Sequence, residues 1–193
     1  YLITVVFSIP LGFLLSLGGL SKNPLIRNFI TFYTWIFRGT PLLLQLFFMY
    51  YGLPIIGITL SPLAAASLTF VINYSAYLCE IFRGSIQGID KGQYDAAKVL
   101  GMGYGQTLIR IIIPQALRTA LPPLSTEAVA LVKDTSLVSV IGTAEILRNS
   151  KELVTRDFSI MPFFICGVFY LILSSIILVI FKKLEKRMGV SCQ

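Results

Sequence analysis

No histidine occurs anywhere in the 193 residues. Imidazole acid–base chemistry and His-ligated metal are therefore excluded. Charge is scarce too: 13% of residues are Asp, Glu, Lys or Arg, against about 25% in a soluble domain. The three cysteines, Cys79, Cys166 and Cys192, are odd in number and two lie in apolar runs. They read as small hydrophobes, not as a disulfide frame or a metal site. There is no G-K-[ST], hence no P-loop, and Gly101, Gly103 and Gly105 form G-x-G-x-G rather than G-x-G-x-x-G. The chain is not expected to hydrolyse ATP. It has no G-x-S-x-G and no paired carboxylates in a polar pocket, so no catalytic residue, metal site or cofactor is assigned to it.

Apolar residues are what it has, at 55%, in runs long enough to cross a bilayer. The expectation is an all-α integral membrane bundle, a single domain over residues 1–193. The chain begins at Tyr1, without a basic n-region or an A-x-A-like site, so its start is expected to be a truncated spanning helix rather than a signal peptide. The net charge of +7 is read as Lys and Arg gathered in cytoplasmic loops. Nucleic acid is not an expected partner, because no basic stripe with interleaved aromatics occurs.

Five spans are predicted: residues 1–20, about 29–53, about 62–82, about 116–132 and 158–181. The fourth is the least apolar, with Arg118 and Glu127 inside it. One set of loops holds Lys22, Arg27, Arg83, Lys91, Lys98, Arg110, Arg118, Lys182, Lys183, Lys186 and Arg187; the other holds Arg148, Lys151 and Arg156. That asymmetry places the N-terminus outside and the C-terminus in the cytoplasm of a multi-pass plasma membrane protein. Residues 135–157 then lie outside and open with a short helix that could dip back into the protein, where non-helical backbone needs cover.

Charges inside spans are expensive and face interiors or pathways. Arg38 lies nine residues beyond Phe29, about 13–14 Å along a helix and near mid-depth. Gly39 and Pro41 loosen the helix behind it, and Thr40 offers a hydroxyl. Two readings stand for Arg38: a carboxylate-binding group in a cavity, or an arginine that snorkels or pairs with another span. Asn73, Tyr77 and Glu80 share one face of the third span. Asn73 is the deeper pathway candidate, while Glu80 is expected to pair with Arg83. The fourth span is predicted to start at Pro122-Pro123. Glu127 and Asp134 follow on one face, and "KDTS" (Lys133, Asp134, Thr135, Ser136) supplies a cation, an anion and two hydroxyls. That mixture suits a zwitterion. The plainer reading is an ion pair at a helix end, with Thr135 or Ser136 as N-cap.

The cytoplasmic loop 83–115 is too polar to cross a bilayer. Asp95 and Lys98 mark one face of a short helix, and Ala96, Ala97, Val99 and Leu100 the other. Gly101 is expected to stop it. "MGYGQTLIRIII" starts a second helical piece that Pro114 ends or kinks. A small-residue face suits docking into a groove on a soluble partner; the alternative, an interfacial helix on lipid, wants bulkier apolar residues.

"YDAAKVLGMGYGQTLIRIIIPQA" resembles the cytoplasmic EAA loop of ABC importer membrane subunits. Asp95, Ala96, Ala97, Gly101 and Pro114 carry the match, with Asp95 where that loop usually has glutamate. "FRGTPLLLQL", "YSAYLCEIFRGSIQGID" and "LVKDTSLVSVIG" resemble the polar amino-acid branch of the same family. The resemblance implies a type I importer core of five helices with a short coupling helix between the third and fourth. It implies a second permease copy or close relative, a cytoplasmic cassette subunit that binds ATP and Mg, and an extracytoplasmic amino-acid-binding protein. Asp95, Ala96, Ala97, Gly101 and Pro114 would couple to the ATPase. Arg38, Thr40, Asn73, Glu127, Asp134 and Ser136 would line the substrate path, with an acidic group in the fourth span favouring a cationic amino acid. The rival reading is a self-sufficient channel or ion-coupled transporter, with Arg38 and Glu127 on an ion path; it is disfavoured because no internal repeat is visible.

Overall fold

The computed structural model describes residues 1–189, so Cys192 lies outside the described residues. Among them the structure is helical and contains no strand. Helix α1 (Leu2–Gly19) carries no charge, and one stripe of it, Thr4, Ser8, Gly12 and Ser16, is buried. Small residues at that spacing let two helices approach closely in lipid. The partner is α4 (Pro62–Gln87). A Cβ at Gly12 would stand 2.7 Å from Leu78 Cβ and 3.1 Å from the Ser75 carbonyl oxygen, so this contact requires glycine.

The predicted second span is two helices. Helix α2 (Pro24–Gly39) starts on Asn23, whose side chain accepts from the Leu25 amide at 3.0 Å, with Pro24 in the first turn. It ends at Thr40 and Pro41, both extended. Proline pushes the residue before it out of helical geometry. The chain turns by 100° into α3 (Leu42–Phe47), continues through one π turn (Phe48–Gly52) and a 3₁₀ turn (Leu53–Ile56), and stops at Gly57 with φ +85°. Expected as a loosened helix, residues 29–53 form a sharply broken one.

Helix α4 is the axis of the bundle and begins on an N-cap, Ser61. It buries Phe70 and Tyr74 against Leu131, and Leu78 and Phe82 against Ala120. After it come α5 (Lys91–Val99), α6 (Tyr104–Thr107), a π turn (Leu108–Ile112) and α7 (Ile113–Asp134). Two expectations are corrected here. Pro114 neither ends nor kinks off the segment; it sits in the first turn of α7, just past the π turn, where its missing N–H is tolerated. Pro122 and Pro123 do not start the fourth span either. They lie inside α7, on its exposed side. By length and composition α1, α4 and α9 (Met161–Arg187) can cross a membrane, and the bent α2–α3 pair makes one more. Helix α7 is long enough at 22 residues but carries Arg118, Glu127, Lys133 and Asp134, and does not qualify on apolarity.

Residues 135–157 form a 3₁₀ segment (Thr135–Ile141) and α8 (Ile146–Asp157). The 3₁₀ segment does pack back into the bundle: Ile141 is buried with Leu46 and Ala66. Neither Thr135 nor Ser136 is an N-cap. Their hydroxyls donate backwards to the Val132 and Lys133 carbonyls, at 2.6 and 2.7 Å. The N-cap of α8 is Glu145, which accepts from the Leu147 and Arg148 amides and from the Tyr170 hydroxyl of α9. At the far end of α8 the exposed Arg156 and Asp157 pair at 2.7 Å. The guanidinium holds the Asp157 carboxyl below the usual range and is itself raised.

Candidate functional site: a charged cavity at the helix break

The break after α2 leaves carbonyls without helical partners. Two side chains repair it. Gln45 of α3 donates from Nε2 to the carbonyls of Phe37 and Thr40, at 3.0 and 3.1 Å, and to the Thr40 hydroxyl at 2.8 Å. Asn73 of α4 donates to the same Phe37 carbonyl at 2.8 Å and to Gln45 Oε1 at 3.0 Å. The Thr40 hydroxyl donates to Ile36 at 2.8 Å. Thr40 and Asn73 are thus both at the site, with hydrogen bonds that fix the backbone beside Arg38.

Beside this repair is a cavity of about 520 Å³ between α2, α3, α4 and α7, lined among others by Arg38, Thr40, Asn73, Tyr77, Glu127 and Asp134. The Arg38 guanidinium stands 5.5 Å from the centre of the Tyr77 ring, a cation–π distance. Its nearest anion is Glu80, 3.7 Å away. Glu80 is also hydrogen-bonded to Arg83, one turn on. Arg38 therefore pairs with another span, as one of its two readings has it, and it also lines a cavity. Asp134 accepts from the Tyr74 hydroxyl at 2.7 Å. Among the described residues Glu127 makes no hydrogen bond or ion pair. Ser136 does not line this cavity; it sits beyond Asp134 on the 3₁₀ segment. Gln45 and Tyr74 were missed from sequence. Tyr74 meets its partner 60 residues away, and Gln45 bonds Phe37 and Thr40, 8 and 5 residues back, only because the backbone between them turns, besides Asn73 at 28; no local spacing signals such contacts.

At the α5 end of the bundle the expected short helix is present, but its two alanines do not share a face as expected: Ala97 turns into the protein and Ala96 stays outside with Asp95 and Lys98. Asp90 caps α5. Gly101, at φ +74°, ends it: its amide donates to Lys98 and the Met102 amide to Ala97, each at 3.0 Å, which is the Schellman pattern. Ala97 is buried, whereas Asp95, Ala96 and Lys98 are exposed. Val99, Leu100, Tyr104 and Ile109 project outward.

The profile of the family described as "Binding-protein-dependent transport system inner membrane component" matches residues 8–190. This chain belongs to that family. It is 36% identical over 189 residues to the glutamine transport system permease protein GlnP of Escherichia coli K12, covering 96% of this chain and 84% of that one. It is 36% identical to the L-cystine transport system permease protein TcyB of Bacillus subtilis, covering 97% and 81%. Among solved structures, an amino acid ABC transporter with histidines superposes with a TM-score of 0.89 at 32% identity, over 96% of this chain and 87% of that one. The MetNI methionine transporter, at 17% identity and a TM-score of 0.79, shares the fold. The fold is that of type I ABC importer permeases, and the family is a transport component rather than an ATPase.

Proposed function

We propose that this chain is the membrane-spanning subunit of an ATP-driven importer that moves a polar amino acid by alternating access. The observation that carries the reading is the cavity beside the α2–α3 break, where one guanidinium, Arg38, faces two carboxylates, Glu127 and Asp134. Arg38 takes the substrate carboxylate, for which its planar fork is suited. One carboxylate takes the α-ammonium. The other is left for a second positive group, which favours arginine, lysine or histidine over a neutral amino acid. The bent backbone held by Thr40, Gln45 and Asn73 keeps Arg38 in place.

In this reading the N-terminus is outside, the C-terminus is cytoplasmic, and two permease subunits, identical or related, pair in a bacterial plasma membrane. Helix α5 seats on a cassette subunit that binds ATP and Mg. Asp95, Ala96, Ala97, Gly101 and Pro114 shape that contact and do no chemistry. A binding protein outside delivers the amino acid. The test is uptake by the complex of permease, cassette subunit and binding protein in proteoliposomes. Uptake is expected to require ATP, to favour cationic amino acids, and to lose that preference in Glu127→Gln. Uptake without ATP would favour an ion-coupled transporter, and an unchanged preference would remove Glu127 from the site. For docking, Ala96→Trp, at an exposed position of α5, is expected to abolish uptake with membrane insertion intact; normal uptake would remove α5 as the contact.

A further inference from the structure

Arg38 has two sides. One faces the cavity at the helix break. The other faces a separate groove of about 590 Å³ along α2, between it and the ends of α1 and α4, and Arg38 and Gly39 line both. The groove lies toward the α5 end of the bundle, where Leu17 of α1, Leu20 just past its end, Ile86 of α4 and Tyr94 of α5 cluster. Its polar lining includes Arg27, Thr31, Arg38, Glu80, Arg83 and Gln87. Arg27 is eleven residues before Arg38 on α2, roughly 16 Å along the axis. Three guanidiniums therefore mark a path from the cavity to the bundle end.

One anion serves them. Glu80 Oε2 is hydrogen-bonded to Arg83 and lies 3.7 Å from Arg38 Nη1. Arg83 is further steadied by Gln87, at 3.0 Å. Arg27 is exposed and makes no ion pair among the described residues. The groove thus holds three positive charges against one negative, which suits a solute carrying a carboxylate. The closer partner of Glu80 is Arg83, so Arg38 can leave Glu80 for a substrate without stranding a bare carboxylate.

We infer that this groove is a second binding site for the carboxylate of the transported solute, in which Arg83 and then Arg27 take that carboxylate over from Arg38 during release. The inference rests on the importer reading above. Glu80 acts as the exchangeable counter-ion: it neutralises Arg38 and Arg83 when no solute is present and yields to the passing carboxylate.

The experiment uses the assembled transporter, with radiolabelled L-arginine and L-glutamine as probes. Equilibrium binding is measured on the purified complex and ATP-driven uptake in proteoliposomes. Arg83→Gln is expected to slow uptake about tenfold, the size of one lost charge-assisted contact. Arg27→Gln, at an exposed position where folding is not at risk, is expected to slow uptake about threefold, as a weaker exposed contact should. Arg83→Lys, which keeps the charge, should recover most of the rate. Uptake within twofold of wild type in both glutamine variants would overturn the inference. So would loss in Arg83→Gln that lysine does not rescue while Arg27→Gln is normal, since that is a structural role. Arg38→Gln separates the two claims: normal binding there removes Arg38 as the carboxylate ligand and this site with it, whereas uptake by wild type without ATP would bring down the importer reading itself.

Discussion

Helices α4 and α9 have nearly the same length, 26 and 27 residues. Both are long enough to span a bilayer with turns to spare. Their fates are opposite. In the most apolar stretch of α4, 56% of residues are buried inside the protein; in that of α9, 6% are. Yet α9 is the greasier helix, with no charge from Met161 to Phe181. In water the order would be reversed. In lipid an apolar side chain gains little by moving from hydrocarbon tails to protein, so the interior is assembled by small residues and by polar groups with partners. Helix α4 supplies these: Ala65, Ala66, Thr69, Asn73, Ser75 and Ala76 are buried along it. The proposed site is built on the less hydrophobic helix for the same reason.

The hardest blow to this comparison is a pair of glycine substitutions. A side chain at Gly12 meets Leu78 and the α4 backbone, whereas nothing lies within 4 Å of a Cβ at Gly167 on α9. Gly12→Leu is expected to destabilise by about 3 kcal/mol, because α1 must move off α4. Gly167→Leu should stay within about 0.5 kcal/mol, a surface effect. Thermal unfolding of the purified complex measures both, and similar losses would mean that burial in this bundle does not follow the small-residue stripe.

Hydrogen bonds sharpen the contrast. Asn73→Ala leaves Gln45 Oε1 without its donor and the Phe37 carbonyl with Gln45 alone, and about 2 kcal/mol is expected, the range for an unsatisfied buried group. Tyr170→Phe on α9 removes a 3.2 Å bond to Glu145, and about 1 kcal/mol or less is expected, since Glu145 keeps its two amide donors. If the order inverted, Asn73 would not be what holds the break.

How much of this could be read from sequence follows the same division. Local signals read well. Gly101 after an alanine-rich turn stopped α5, and the charge-free runs of α1 and α9 marked helices. Arg38, Thr40, Asn73, Glu127 and Asp134 were selected as charges and polar groups inside spans, and the structure brings them to one cavity. Ser136 was selected with them because it follows Asp134 in the chain, but the 3₁₀ segment carries it past the cavity. What failed was non-local. The break at Thr40 was expected as a mere loosening, because half of its repair comes from Asn73, 36 residues from Phe37, which also holds the nearby Gln45 in place. The Pro122-Pro123 pair looked like a helix start, but α7 absorbs both prolines on its exposed side. Tyr74 is one of many aromatics in an apolar run until α7 places Asp134 against it.

Outside the spans the expected effects shrink. Gly101→Ala should cost about 1 kcal/mol, because φ is +74° and no neighbour crowds the site. The smallest effect belongs to Arg156 and Asp157 at the end of α8, an exposed ion pair in contrast to the Arg38–Glu80–Arg83 cluster at α4. Asp157 is held below the usual carboxylate range by Arg156. A depressed folded value means that the pair stabilises above the unfolded carboxylate value, about 3.9, and that this is lost as pH falls through the lower folded value. Asp157→Asn lacks the contribution at every pH. The melting-temperature difference between wild type and variant is therefore expected to be small at neutral pH, to close as the pH falls below the ordinary aspartate range, and to shrink in high salt, which screens exposed charges. A difference that persisted at low pH and high salt would mean that Asp157 acts through packing at the α8–α9 corner, and that the exposed end of the bundle is more like α4 than its accessibility implies.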